Sequence, residues 1–167
     1  MPSALCIHPT AAMRALAEIL VVEDEIEPRE SVQEALEQAG YRVAAARNGL
    51  EALSMLNGMD RPALIVLVLQ MPLMDGLAFL RELRSRPDHA EFEVLAMSAT
   101  VDGEWVHDIP GVRRTLRKPF DVDELLQEAE AFQNRSVARA ASASSTAAEQ
   151  AAPVLGAETK AAGPEVD

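Results

Sequence analysis

The sequence predicts an α/β fold: a doubly wound parallel sheet of five strands with five helices, arranged in three layers. Short apolar runs of strand length alternate with segments whose apolar residues recur at helical spacing. This alternation is typical of a parallel sheet that is covered by helices on both faces. The third run, residues 64–69, is apolar throughout, as expected for a central strand buried on both faces.

The first half of the predicted domain contains two strands and two helices. Residues 19–22 form an apolar run that ends in acidic residues, which indicates a first strand running into a loop. Val32, Leu36 and Ala39 then lie on one helical face, and Gly40 marks the end of that helix. The second strand and the second helix are expected at residues 41–45 and 49–58.

The second half continues the alternation after the central strand. Phe79, Leu80 and Leu83 give the third helix its apolar stripe, and Pro87 ends that helix. The fourth strand is expected at residues 94–97. The fourth helix and the fifth strand are expected between residues 98 and 118, and the last helix at residues 121–132.

The chain divides into an N-terminal extension at residues 1–17, one folded domain at residues 18–133 and a tail at residues 134–167. The tail is rich in alanine, serine and threonine, so we expect it to be disordered. A single cysteine, Cys6, excludes an internal disulfide framework, and no apolar run is long enough to span a membrane. The N-terminus lacks the features of a secretory signal, and we expect a cytoplasmic protein.

The charge distribution indicates the kind of partner. The formal net charge is −12, and acids exceed bases by only one after residue 133, so the predicted domain is the acidic part of the chain. Such a surface repels phosphate backbones. We therefore expect no direct binding to nucleic acid and no association with membranes, and we expect the partner to be a protein.

Polar side chains follow three of the predicted strands. Glu23 and Asp24 come after the first strand, Ser98 after the fourth and Lys118 after the fifth. Because ligands of a doubly wound sheet bind beyond the carboxyl ends of its strands, we expect these side chains to converge at one edge. Carboxylates bind a hard divalent cation, whereas a hydroxyl and an amine can contact phosphoryl oxygens. The combination indicates phosphoryl chemistry.

Four sequence blocks carry a family resemblance. They are ILVVEDE at residues 19–25, QMPLMDG at 70–76, MSA at 97–99 and RKPFDVDELL at 117–126. In order and spacing they resemble the corresponding blocks of the receiver domains of bacterial two-component response regulators. The resemblance spans residues 19–132, and it implies a flavodoxin-like fold with the strand order 2-1-3-4-5.

The resemblance also implies roles for individual residues. Glu23 and Asp24 would form the metal-binding acidic pair, supplemented weakly by the backbone of Gln70. Ser98 would be the switch hydroxyl and Lys118 the amine that senses phosphate. Structural roles are implied for four further residues: Pro72, Asp75, Gly76 and Pro119. The peptide bond before the last of these would be cis.

The sequence departs from the family pattern at two positions. The phosphate-accepting aspartate of the family stands two residues before the place of Gln70, and here that position is Val68. Valine supplies neither a nucleophile nor a metal ligand. The aromatic switch residue, three positions before the lysine, is replaced by Thr115. Both departures fit a receiver that no longer transmits its signal through phosphorylation.

We therefore expect a stand-alone, non-enzymatic receiver in phosphorelay signalling that binds a protein partner without being phosphorylated. The partner would be a histidine kinase, a phosphotransferase or another regulator, and a homodimer through the face of the fourth helix, fifth strand and fifth helix stays open. The alternative is magnesium-dependent phosphorylation at a substitute acid, Glu23 or Asp24. A metal-dependent hydrolase on the same fold ranks below both, because the sequence offers no nucleophile arrangement for it.

The missing acceptor changes the charge balance around it. Lys118 loses a partner, whereas Glu23 and Asp24 keep their mutual repulsion. We predict that Lys118 bonds directly to Asp24 or Glu23 and that this bond holds one conformation. No cofactor is expected to be required, and Mg²⁺ is expected to bind weakly because two carboxylates and backbone carbonyls replace three carboxylates.

Overall fold

The computed structural model describes residues 17–99 and 109–150, along which five strands alternate with four α-helices. The strands are β1 (Ala17–Val22), β2 (Val43–Ala46), β3 (Met59–Val68), β4 (Phe92–Ser98) and β5 (Val112–Arg117). The helices are α1 (Ile26–Gln38), α2 (Gly49–Met55), α3 (Gly76–Ser85) and α4 (Val122–Gln150). Short 3₁₀ turns at Leu56–Gly58 and His89–Glu91 lead into β3 and β4.

The five strands form one parallel sheet in the order β2-β1-β3-β4-β5. The flavodoxin-like order that the resemblance implied is thereby confirmed. In the register of the inner strands, Val22 lies beside Leu67 and Val68 lies beside Met97. The carboxyl ends of β1, β3 and β4 therefore finish close together at one edge of the sheet.

Side chains of the inner strands alternate between two apolar layers. Leu20 and Val22 of β1 belong to the layer that contains α2 and α3, whereas Ile19 and Val21 belong to the layer that contains α1 and α4. The helices fill these layers with Phe79, Leu80 and Leu83 on one side and with Val32, Leu36, Leu125 and Phe132 on the other. Because both faces of the sheet are covered, its central strands are apolar without alternation.

The predicted fourth helix falls between β4 and β5, largely on residues 100–108, which lie outside the described residues. Along the described chain there are thus four α-helices rather than five. Strand β3 begins at Met59, earlier than predicted. Its first residues include the charged Asp60 and Arg61, so the apolar run in the sequence indicated only the buried part of the strand.

Helix α4 continues beyond the predicted end of the domain. We expected disorder from residue 134, but the helix extends to Gln150. Alanine has the highest helix propensity, and extending an existing helix requires no new nucleation, so an alanine-rich segment can continue it. The chain divides near this point into two compact units, residues 1–133 and 134–167. The rest of the predicted tail and most of the N-terminal extension lie outside the described residues.

None of the helices in the described part of the chain is both long enough and apolar enough to cross a membrane.

The loop between β3 and α3 brings two backbone segments into close contact at Gly76. The amide of Gly76 donates to the carbonyl oxygen of Leu69 at 2.9 Å. A Cβ atom at this glycine would lie 2.8 Å from the Cα atom of Leu69 and 2.8 Å from the carbonyl oxygen of Val68. Both are backbone atoms, which cannot move aside as a flexible side chain can. The last position of the QMPLMDG block therefore requires glycine.

Gly76→Ala is expected to lower the free energy of unfolding by about 1–3 kcal/mol, because the added methyl group overpacks the backbone of β3. Gly58→Ala is the matched control, since a Cβ atom there would meet nothing within 4 Å. Urea unfolding at neutral pH measures both variants. Equal stabilities of the two variants would contradict the close contact at Gly76.

Candidate functional site at the carboxyl edge of the sheet

Four of the predicted site residues lie at the carboxyl edge of the sheet, one for each of four strands: Glu23 after β1, Val68 at the end of β3, Ser98 at the end of β4 and Lys118 after β5. Glu23, Val68 and Ser98 are buried. The backbone amide of Lys118 donates to the carbonyl oxygen of Ser98 at 2.8 Å, which joins the ends of β4 and β5. The expected convergence of these strand ends is confirmed.

An ion pair between Glu23 and Lys118 forms the centre of the site. The Nζ atom of Lys118 donates to Oε2 of Glu23 at 2.5 Å. The side chain of Glu23 is 2% exposed and that of Lys118 is 25% exposed. A buried carboxylate needs such a partner, because a lone charge is costly to remove from water. The prediction that Lys118 bonds to Asp24 or Glu23 is confirmed, and Glu23 is the partner.

An arginine that the sequence interpretation did not single out holds the acidic turn after β1. Nη1 of Arg29 donates to the backbone carbonyl oxygen of Glu23 at 2.9 Å and to that of Asp24 at 3.3 Å. Because Arg29 lies in the first turn of α1, these bonds fix the path of the chain from β1 into the helix. The signal in the sequence was one basic residue within a strongly acidic stretch.

Val68 ends β3 with an apolar side chain. It is 5% exposed and belongs to the same apolar layer as α1 and α4. Its neighbour in the sheet is Met97 of β4. An isopropyl group has no lone pair, so the end of β3 contributes neither a nucleophile nor a metal ligand from this side chain.

The loop after β3 contains the residues for which structural roles were predicted. Asp75 is the N-cap of α3, and its Oδ1 atom accepts a hydrogen bond from the amide of Ala78 at 2.7 Å. The carbonyl oxygen of Pro72 accepts from the amide of Met74 at 3.0 Å. Gln70 is exposed at the start of the loop. The carboxylate of Asp75 is therefore engaged in capping α3 and does not supply an acid at the end of β3.

The other predicted residues lie along β4 and β5. Ser98 is 4% exposed, and Thr115 is partly buried beside Ala96 of the neighbouring strand. The peptide bond between Lys118 and Pro119 is cis, as the resemblance implied. Residue 115 of the edge strand β5 is a threonine, so this position carries a small side chain where the family resemblance implied an aromatic one.

Few side chains at the described carboxyl edge are available as ligands for a magnesium ion. Hard divalent cations require several oxygen ligands, and carboxylates are the usual ones. Glu23 is bonded to Lys118, and Val68 offers no oxygen, which leaves the partly exposed carboxylate of Asp24. Within residues 17–99 and 109–150, no three histidine, cysteine or acidic side chains are grouped in a way that could hold a metal ion.

Comparison with known proteins identifies the family. The family model for the response regulator receiver domain matches residues 19–130. The chain belongs to this receiver-domain family of two-component signalling proteins.

The curated relatives are longer proteins. Response regulator MprA of Mycobacterium avium is 39% identical over 118 residues, which cover 71% of this chain and 51% of the relative. MprA of Mycobacterium tuberculosis is 38% identical over the same number of residues, with the same coverage. The chain thus spans about half the length of the curated relatives it matches.

Solved structures of receiver domains share the fold. Chemotaxis protein CheY4 of Vibrio cholerae is 29% identical, with a TM-score of 0.62 and coverage of 70% of this chain and 98% of that chain. The receiver domain of the Francisella response regulator 1452 is 28% identical, with a TM-score of 0.64 and coverage of 70% and 96%. Response regulator TrrA of Thermotoga maritima, solved in complex with Mg(2+)-BeF, is 28% identical, with a TM-score of 0.60 and coverage of 70% and 98%.

Lys118→Met is expected to lower the free energy of unfolding by about 3 kcal/mol, because the carboxylate of Glu23 then stays buried without a partner. The double variant Glu23→Gln/Lys118→Met is expected to recover most of this loss, since no buried charge remains. Denaturant unfolding at neutral pH measures both.

Arg47→Met is the surface control for this measurement. Arg47 is 73% exposed and pairs with Glu51 at 3.4 Å. Loss of such an exposed pair is expected to change the stability by less than about 1 kcal/mol. If Lys118→Met and Arg47→Met had equal effects, the buried ion pair would not contribute as the geometry indicates.

Proposed function

We propose that this receiver acts in two-component signalling by binding a protein partner without accepting a phosphoryl group, and that it is not an enzyme. One arrangement supports the proposal. Val68 stands at the position of the acceptor aspartate, and the amine of Lys118, which would contact a phosphoryl group, is bonded to Glu23 at 2.5 Å.

Phosphoryl acceptance requires a nucleophilic oxygen at the end of β3. In the family's chemistry, a carboxylate oxygen attacks phosphorus while a cation and an amine neutralise the developing charge. The side chain of Val68 contains only carbon and hydrogen, so no acyl phosphate can form on it. Of the other acids at the edge, Glu23 pairs with Lys118, Asp75 caps α3, and Asp24 lies partly exposed in the turn after β1 and not at the end of β3.

The ion pair favours one conformation of the edge. It connects the end of β1 with the end of β5, which lie on opposite sides of β3 and β4 in the sheet. Any rearrangement that moves Lys118 away leaves the carboxylate of Glu23 buried and uncompensated, which is strongly unfavourable. We infer that the partner recognises this one conformation, whether or not a phosphoryl donor is present.

Mg²⁺ is not required for this function. The relative TrrA was solved with Mg(2+)-BeF. In this chain Glu23 is committed to Lys118 and Val68 supplies no ligand, so we propose that Mg²⁺ binds weakly, through Asp24 and backbone oxygens such as that of Gln70.

Surface chemistry supports a protein partner. The chain is strongly acidic, which disfavours nucleic acid. Three apolar side chains near the carboxyl edge are well exposed: Ile26, Leu73 and Leu77, at 61%, 84% and 44%. Exposed apolar groups of this kind contribute to protein contacts. We propose that a histidine kinase, a phosphotransferase or another regulator binds at this edge, and a homodimer through the face that includes β5 stays a prediction.

Incubation with acetyl phosphate and magnesium, followed by intact-protein mass spectrometry, tests the proposal. The natural chain is expected to keep its mass. Val68→Asp is expected to gain one phosphoryl group, because it restores a carboxylate at the end of β3. Val68→Asn is the matched control, since it has the size of aspartate without the nucleophilic carboxylate, and it is expected to stay unmodified.

A phosphoryl group on the natural chain would contradict the proposal. Peptide mapping would then decide whether Glu23 or Asp24 carries it, which is the alternative of a substitute acid. Equal modification of Val68→Asp and Val68→Asn would show that the reaction takes place away from the end of β3.

A further inference from the structure

A cavity of about 480 Å³ lies beside the Glu23–Lys118 pair, between α1 and the start of α4. Its inner wall is formed by core side chains that are almost completely buried: Val32, Met97 and Leu125. Its mouth is lined by Pro28, Phe120 and Val122, of which the last is 50% exposed. The volume falls in the range of small-molecule binding sites, about 300–1,000 Å³.

The walls of the cavity are mainly apolar, and its polar side chains are those of the ion pair and of the exposed Ser31. Apolar walls gain free energy when an apolar molecule displaces water from them. The ammonium group of Lys118 has three N–H donors, and one of them is directed at Glu23. Because the side chain of Lys118 is still 25% exposed, another donor can reach an oxygen atom inside the cavity.

The charges around the cavity determine which molecule fits. The ion pair has no net charge of its own. Glu27 and Arg29 flank Pro28 at the mouth, and Asp121 and Asp123 flank Val122, so acids outnumber bases three to one among these sequence neighbours. An anion is disfavoured in such surroundings. A cation would have to compete with Lys118 for Glu23, which leaves an uncharged molecule as the best match.

We propose that this cavity binds a small, uncharged and largely apolar molecule whose carbonyl or hydroxyl oxygen accepts a hydrogen bond from Lys118. The inference goes beyond the proposed function and is independent of it, since binding in the cavity requires neither a phosphoryl group nor a protein partner.

Three matched probes test the chemical class in amide chemical-shift titrations of the full chain. Acetonaphthone is uncharged and has a carbonyl oxygen, naphthalene lacks the oxygen, and naphthoate is an anion of similar size. Acetonaphthone is expected to bind saturably and to shift the amides of Val32, Phe120 and Leu125. Naphthalene and naphthoate are expected to bind more weakly.

Two tryptophan variants test the location. Val122→Trp fills the mouth of the cavity, and it is expected to weaken the binding of acetonaphthone by about tenfold or more, or about 1.4 kcal/mol. Leu50→Trp is the control, because Leu50 is similarly exposed, at 55%, but lies on α2, away from the cavity. It is expected to bind as the natural chain does, and circular dichroism verifies that both variants are folded.

Several outcomes would overturn the inference. Absence of saturable binding, or equal affinities of Val122→Trp and Leu50→Trp, would exclude the cavity as the site. Tighter binding of naphthoate than of acetonaphthone would exclude an uncharged ligand. The amides of Val32, Phe120 and Leu125 could instead shift when only the protein concentration is raised. If acetonaphthone does not compete with that self-association, the cavity is a contact between two copies of the chain.

Discussion

The ion pair between Glu23 and Lys118 joins the end of β1 to the end of β5, and the side chain of Glu23 is almost completely buried. Three properties of the carboxyl edge depend on it. It engages the carboxylate of Glu23, which the receiver resemblance implies as a metal ligand, it engages the amine of Lys118, which the resemblance implies as a phosphate contact, and it provides the polar end of the neighbouring cavity. The charges stabilise each other only while both remain in place, because either one alone would be buried at a large cost.

Val68 leaves Lys118 without a competing carboxylate at the end of β3. With a carboxylate at the end of β3, Lys118 would have two competing acidic neighbours, and the edge would carry an additional negative charge. With valine, the apolar layer that contains α1 and α4 extends to the last residue of the strand. Glu23 then remains the buried acid that is paired with the lysine. The apolar side chain at the end of β3 thus adds no charge to the edge and offers no nucleophile there.

Much of this arrangement could be predicted from local patterns. Apolar runs predicted the positions of the strands. Acids, a hydroxyl and a lysine at the strand ends predicted a polar site at the carboxyl edge of the sheet, because parallel strands place their carboxyl ends together. The choice of Glu23 over Asp24 could not be predicted, since adjacent residues at a strand end point in different directions and only the register decides which one faces Lys118. The bonds of Arg29 depend on the geometry of a turn. The length of α4 was missed because an alanine-rich segment is compatible with either helix or disorder until it follows an existing helix.

The most direct test of the central claim is an amide NMR spectrum recorded before and after addition of Mg²⁺ with beryllofluoride, the combination present in the TrrA structure. If the ion pair holds one conformation that does not respond to phosphoryl chemistry, the amides of Glu23, Val68, Ser98 and Lys118 keep their positions. Shifts of these amides at saturating Mg²⁺ and beryllofluoride would show that the edge still binds the phosphoryl mimic, and would contradict a receiver that works without phosphorylation.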